Sequence, residues 1–277
     1  MTSPLEIYPK FVEAMNARDW EAAQSMLTDD LTVNGIQTNS QTLVAQLQSL
    51  GNLGPDISSS IDFVIADDSD SNKAFSRVIH RLTLAQDAMG AKATGNPAEF
   101  AEQSIFWTDG GKITKIYTIS DFEDLRKGTS NVPKAKLIEP KSAPNSFDIE
   151  ASFRSNIDSF NNKTMEQDLP KYCHPVIIFN GIDIELDKFR ELLMQTIDFM
   201  EGISFTITDT VVNKEKQQIA ARILYKGKPV KEFKGVEPTG KSVDFAEHCF
   251  YQFDEGKIKQ MVSLMDIEVF RQMMSSE

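Results

Sequence analysis

An internal repeat constrains this chain more than any single motif does. Laid on itself at an offset of 146, Asn16 falls on Asn162, and Asn34-Gly35-Ile36 falls on Asn180-Gly181-Ile182. Leu47, Ile57 and Ile61 fall on Leu193, Ile203 and Ile207. One residue lost in the loop near 66–73 changes the offset to 145. Arg77 then meets Arg222, Gly90 meets Gly235, and Thr94-Gly95 meets Thr239-Gly240. Phe100-Ala101-Glu102 meets Phe245-Ala246-Glu247, and Asp121, Glu123 and Arg126 meet Asp266, Glu268 and Arg271. One gap over the whole match implies two copies of one domain, 1–127 and 147–277. The piece between them, 128–146, carries Pro133, Pro140 and Pro144 with Lys134, Lys136 and Lys141. That density of proline and charge predicts a linker that is extended rather than packed.

Each copy reads as helices followed by strands. Ser3-Pro4-Leu5-Glu6 is a capping box with proline at the first helical position, and Tyr8, Phe11, Val12 and Met15 follow at helical spacing. Asp19 is placed to cap a second helix with the stripe Trp20, Ala23, Met26 and Leu27. A short strand, 31–33, ends at the turn pair Asn34-Gly35, and 42–50 forms a third helix. Strands follow at 60–66, 74–84 and 98–108. The last strand, 112–120, is joined by the hairpin signal Asp109-Gly110-Gly111. This order predicts an α+β fold. It implies two tandem cone-shaped domains, each a curved, mostly antiparallel sheet wrapped by helices around a cavity.

Composition removes several classes of function. The net charge is −12, and no basic stripe interleaved with aromatics occurs, so neither nucleic acid nor an anionic membrane is an expected partner. No run approaches the ~20 apolar residues of a membrane span. The first residues lack the charged and apolar regions of a secretory leader. With only two cysteines, Cys173 and Cys249, there is no disulfide framework, and reduced thiols in a cytoplasmic protein are expected. The three histidines, His80, His174 and His248, show no ligand spacing, so no metal is expected. Glycine-rich nucleotide loops are absent, and no cofactor is expected.

Three features resemble the SnoaL-like branch of the nuclear-transport-factor-2-like superfamily. An opening helix pair meets at Asn16-Ala17-Arg18-Asp19. A strand arginine precedes Gly-x-x-x-Thr-Gly, as Arg77 with Gly90 to Gly95 and Arg222 with Gly235 to Gly240. A closing Gly-Lys-Ile strand ends in aspartate, at Asp121 and at Asp266. The resemblance implies a cofactor-free cyclase or isomerase acting on a small apolar carbonyl compound, a polyketide or terpenoid intermediate. A dehydratase, an epoxide hydrolase or a non-catalytic module binding an apolar ligand or protein partner would use the same scaffold. In SnoaL-like cyclases the aspartate closing the last strand is the usual acid/base of an intramolecular aldol closure. By position that role falls on Asp121 and Asp266, whose other reading is helix capping.

The residues themselves offer further candidates. Side chains alternate along a strand, so His80 shares a face with Val78, Leu82 and Leu84. It is either a general acid/base or a core histidine with one hydrogen bond. Its counterpart Tyr225 could donate to a developing oxyanion or simply line a wall. Glu102 lies among Phe100, Ser104 and Phe106, and Glu247 among Phe245, Cys249 and Tyr251. Each is either a desolvated acid/base or the ion-pair partner of Arg77 or Arg222. His248 points away from Glu247, and His174 is expected in an exposed loop.

The last strand of the second copy is apolar on both faces, with Val262 and Leu264 on one and Met261 and Met265 on the other. A sheet with one wet face would alternate. The pattern predicts that the two sheets pack on each other as an intramolecular pseudo-dimer, with further homo-oligomerisation open. Small-angle scattering should therefore give one compact particle. A profile of two separated beads would contradict the packing.

Overall fold

The computed structural model describes residues 2–141 and 147–275. Pro144 and the rest of 142–146, over which the predicted linker runs, lie outside the described residues. The chain divides into two units, Met1–Val132 and Pro133–Glu277. Each holds one six-stranded open sheet with its own helices.

In the first unit, α1 (Pro4–Ala17) and α2 (Trp20–Ser25) lead into β1 (Leu27–Val33) and β2 (Ile36–Thr38). Then come α3 (Ser40–Leu53), β3 (Ser58–Ala66), β4 (Lys73–Thr83), β5 (Pro97–Asp109), β6 (Lys112–Ser120) and α4 (Phe122–Lys127). The sheet order is β2-β1-β6-β5-β4-β3, antiparallel except where β1 runs parallel to β6. The second unit repeats it with α5 (Ile149–Asn161), α6 (Met165–Tyr172), β7 (Cys173–Phe179), β8 (Ile182–Glu185) and α7 (Leu186–Asp198). It closes with β9 (Met200–Asn213), β10 (Gln218–Pro229), β11 (Val243–Asp254), β12 (Lys257–Met265) and α8 (Ile267–Ser275). Its order is β8-β7-β12-β11-β10-β9. Among the described residues no helix is long and apolar enough to cross a membrane.

The local signals act as read. Glu6 reaches back to the Ser3 N–H, and the Asp19 carboxylate accepts from the Ala22 N–H. Met26 and Leu27 are not the last turn of α2, however. The helix ends at Ser25, and Leu27 opens a strand that is longer than its apolar pattern suggested. The reason is its pairing: Leu27 is in register with Ile113 of β6 and 31–33 with β2, so polar Asp29 and Asp30 are carried along in the irregular stretch between those anchors. Likewise His174 sits in β7, not in a loop, with Nε2 2.8 Å from the Asp254 carbonyl.

Two asparagines hold the frame. Asn34 and Asn180 turn the chain with φ of 49° and 47°, in the left-handed region that asparagine tolerates better than most residues. Each stands before a glycine of positive φ, the turn that suits a two-residue hairpin. The Asn34 side chain donates to the Thr118 carbonyl at 3.1 Å and accepts from the Thr118 N–H at 2.8 Å. Asn180 accepts from the Ser263 N–H at 2.9 Å. The β1–β2 hairpin is thereby locked to the closing strand.

A second asparagine clamp corrects the repeat alignment by one residue. Asn16 brackets Ser59, with both bonds 2.8 Å long. In the second unit the same bracket on Phe205 comes from Asn161, at 2.9 Å each, and not from Asn162. The helix end, where chains fray and shorten, absorbs the difference.

The described part of the linker, 128–141, contains no helix or strand but is strapped down. The Val132 N–H donates to Glu99 at 2.9 Å. Further along, the buried Gln252 amide accepts from the Ile138 N–H (3.0 Å) and donates to its carbonyl (2.6 Å). The Gln260 amide, oriented to suit its partners, does the same to Lys136, at 2.7 and 2.9 Å. An extended segment against a sheet must have its backbone groups satisfied. Here side-chain amides at alternate positions supply the partners.

Replacing Asn34 by alanine should cost about 2–3 kcal/mol, since two hydrogen bonds of about 1 kcal/mol each are lost and alanine is strained at positive φ. Asn34→Gly should cost about 1 kcal/mol less, because glycine accepts the turn. Denaturant melts of the two variants check both the size and the order of these effects.

Candidate functional site

The inner face of each sheet and the helices over it enclose a cavity, about 110 Å³ in the first unit and about 70 Å³ in the second. One water takes up about 10–15 Å³ on this measure, so the first has room for a small organic group. Its apolar wall includes Phe11, Met15, Trp20, Leu43 and Leu47. Its polar atoms gather at one place: Ser59, His80, Glu102, Ser104 and Thr118.

Strand register brings these together. His80 pairs with Phe100 across β4–β5, and the rings stack with centroids 4.8 Å apart. Two residues further along β5, on the same face, stands Glu102. The His80 Nε2 lies 3.8 Å from Glu102 Oε2, beyond hydrogen-bond range but within reach of ion pairing. Its Nδ1 shares a 2.9 Å hydrogen bond with the Ser59 hydroxyl, and Ser59 is the residue bracketed by Asn16. The Ser120 hydroxyl donates to Glu102 Oε2 at 3.1 Å, and Ser104 donates to Thr118 at 2.8 Å. Burial pushes the Glu102 pKa up. The His80 imidazole and the Ser120 and Thr118 hydroxyls outweigh that and hold it below the usual carboxylate value.

The second cavity has the same plan with different chemistry. Tyr225 takes the place of His80 and donates to Glu247 Oε2 at 2.5 Å. Ser263, the counterpart of Thr118, donates to Oε1. Burial raises the pKa of Glu247, and the two hydroxyls offset it only in part. Burial and the neighbouring Glu247 charge push the Tyr225 phenol well above its ordinary value. Phe179, Phe189 and Phe205 crowd this cavity where the first has Val33, Leu43 and Ser59.

Asp121 and Asp266 stand elsewhere. Asp121 caps α4, accepting from the N–H groups of Glu123 (3.2 Å) and Asp124 (3.4 Å). Asp266 caps α8, accepting from Val269 at 3.0 Å. Burial raises both pKa values. Neither lines either of these two cavities; the structure joins His80 to Glu102 and Tyr225 to Glu247. The alternative pairing of the glutamates with arginine does not occur. Arg77 is in register with Gln103, one residue past Glu102, and so lies on the opposite face, where it pairs with the bulged Asp62. Arg222 bonds Thr208 at the equivalent bulge. Ser59, Thr118 and Ser120 were not anticipated. Their signal was parity alone: Thr118 and Ser120 share a face with Ile116, which lines the cavity.

With geometry in hand, likeness to known families is informative. Residues 9–116 match the SnoaL-like domain, and residues 152–273 match the SnoaL-like polyketide cyclase family. The chain therefore belongs to the SnoaL-like family, as two such domains in tandem. No curated protein matches it. Among solved structures it is similar to a SnoaL-like polyketide cyclase from Agrobacterium tumefaciens, with 22% identity, a TM-score of 0.42, and coverage of 45% of this chain and 95% of that one. It is also similar to IdmH, a candidate polyketide cyclase from Streptomyces antibioticus, with 19% identity, a TM-score of 0.41, and coverage of 45% and 96%. A third is AclR from Streptomyces galilaeus, described as a candidate hydroxylase, with 16% identity, a TM-score of 0.38, and coverage of 43% and 89%. Likenesses of this size say nothing of activity.

The raised pKa of Glu247 has a signed consequence. Its stabilising contribution is fully present below the unfolded value, near 4.5, and is lost as pH rises through the higher native value. Glu247→Gln cannot ionise. Melting temperatures of variant and parent, taken across that window, should diverge in the variant's favour as pH rises. A constant difference would show that Glu247 ionises normally.

Proposed function

We propose that the first domain is the active one and that it carries out cyclase- or isomerase-type chemistry on a small apolar carbonyl compound. One observation carries this reading. A carboxylate held in its charged form stands beside an imidazole in a largely apolar cavity. Such a pair can move a proton from carbon to oxygen without further help.

The steps follow from the positions. Glu102 removes a proton from the carbon next to the substrate carbonyl. The Ser59 hydroxyl donates to His80 Nδ1, which leaves the imidazole proton on Nε2, where it meets the developing oxyanion. In a cyclase the resulting enolate carbon attacks a second carbonyl of the same molecule, and the new alkoxide takes a proton back from Glu102. In an isomerase the proton returns to a different carbon. No cofactor enters either route. The second cavity is smaller, and Glu247 there is engaged by Tyr225 and Ser263, which suits a scaffolding copy.

Glu102→Gln keeps the size and an acceptor for Ser120 but cannot take a proton. On a β-dicarbonyl test substrate it should lower kcat about 10²–10⁴-fold with little change in melting temperature. Because the Glu102 pKa lies below the ordinary 4.5, the acid limb of kcat/KM for the parent should fall below that value. Full turnover in Glu102→Gln together with loss in Asp121→Asn would transfer the base to the capping aspartate.

A further inference from the structure

Gly51 lies in the last turns of α3, buried, and lines the first cavity. Glycine inside a helix destabilises it relative to alanine. A structural reason to keep it would be a left-handed backbone or a neighbour too close for a Cβ. Neither holds: its φ is not positive, and the nearest atom to a Cβ built there is Trp20 Cη2, at 4.0 Å. By contrast, at Gly54, three residues on, a Cβ would come within 2.8 Å of Leu82. The second domain supplies the comparison. The counterpart of Gly51 is Ile197, a partly buried side chain that packs against that domain's core, so a large side chain is compatible with this place in the fold.

We infer that Gly51 determines specificity: its missing side chain, opposite Trp20, sets how large a substrate the first cavity accepts. This rests on the reading of that cavity as the substrate site. The helix gives up stability at Gly51, and the space gained is a recess beside an indole ring. A side chain there would point into the recess. Alanine fits it, since 4.0 Å is ordinary contact, yet still shortens it. A leucine or isoleucine would fill it.

The test uses binding and needs no turnover. The chain has two tryptophans, so in a Trp107→Phe background Trp20 alone reports. Phenol, 2-naphthol and 9-phenanthrol are titrated against its fluorescence. Gly51→Ala should leave the Kd for phenol within about two-fold and weaken 9-phenanthrol about ten-fold or more, the usual effect of one methylene in a tight apolar pocket. Its melting temperature should rise by a few degrees. Ser49→Ala, on the outer side of α3, controls for helix propensity and should leave all three affinities unchanged. Gly51→Leu should abolish binding of the two larger probes; if it fails to fold, the alanine variant decides alone. Equal weakening of all three probes by Gly51→Ala, no weakening of any, or no binding of any probe to the parent would overturn the inference. Any of these would leave the role of Glu102 standing, because that is read from turnover and its pH profile.

Discussion

The structure depends on how the closing strand is held. β6 runs antiparallel to β5 on one side and parallel to β1 on the other. Parallel pairing is slightly the weaker of the two, and it cannot be joined by a tight turn. The Asn34 side chain makes up for this by bonding both backbone groups of Thr118. Thr118 turns its hydroxyl to the cavity, so the clamp that holds the frame also sets the wall on which Glu102 is solvated. Asn180 and Ser263 repeat the arrangement, and Ser263 again meets the buried glutamate. Frame and site are therefore coupled through one strand in each domain.

On that frame, one exchange changes the chemistry. His80 and Tyr225 occupy matching places opposite matching glutamates. The His80 imidazole, with the Ser120 and Thr118 hydroxyls, stabilises the carboxylate form of Glu102. A tyrosine in the same cavity offers only a neutral donor, and burial then dominates at Glu247. The two pKa values move in opposite directions for that reason. The walls have diverged as well, with Phe179, Phe189 and Phe205 lining the second cavity.

Most of the fold was legible in the sequence because the local signals agreed with one another. Caps at Ser3 and Asp19, alternation in the long strands and the Asp109-Gly110-Gly111 hairpin all point the same way, and the repeat doubles each of them. The strand 36–38 was not legible: three residues carry too little pattern, and only pairing with β1 defines them. The site was legible by half. Alternation placed His80 and Glu102 on inner faces, but which side chains meet depends on cross-strand register. Register separated Glu102 from Arg77 and brought it to Ser120 instead. The closing aspartates illustrate the same limit. Position and family likeness favoured them, and only the direction of the side chain, turned to the helix amides, shows what they touch.

The strapped linker has a consequence for where the second domain begins. Its family match starts at residue 152, yet Gln252 and Gln260, both buried, spend their amides on Ile138 and Lys136. A fragment cut at the family boundary would remove the bonds to Ile138 and Lys136 and leave Gln252 only its long contact with the Lys216 carbonyl, whereas one starting at Pro133 would keep them. The second domain is thus longer in physical terms than in ancestry. Residues 133–141 connect the copies in sequence and belong to the second one in structure.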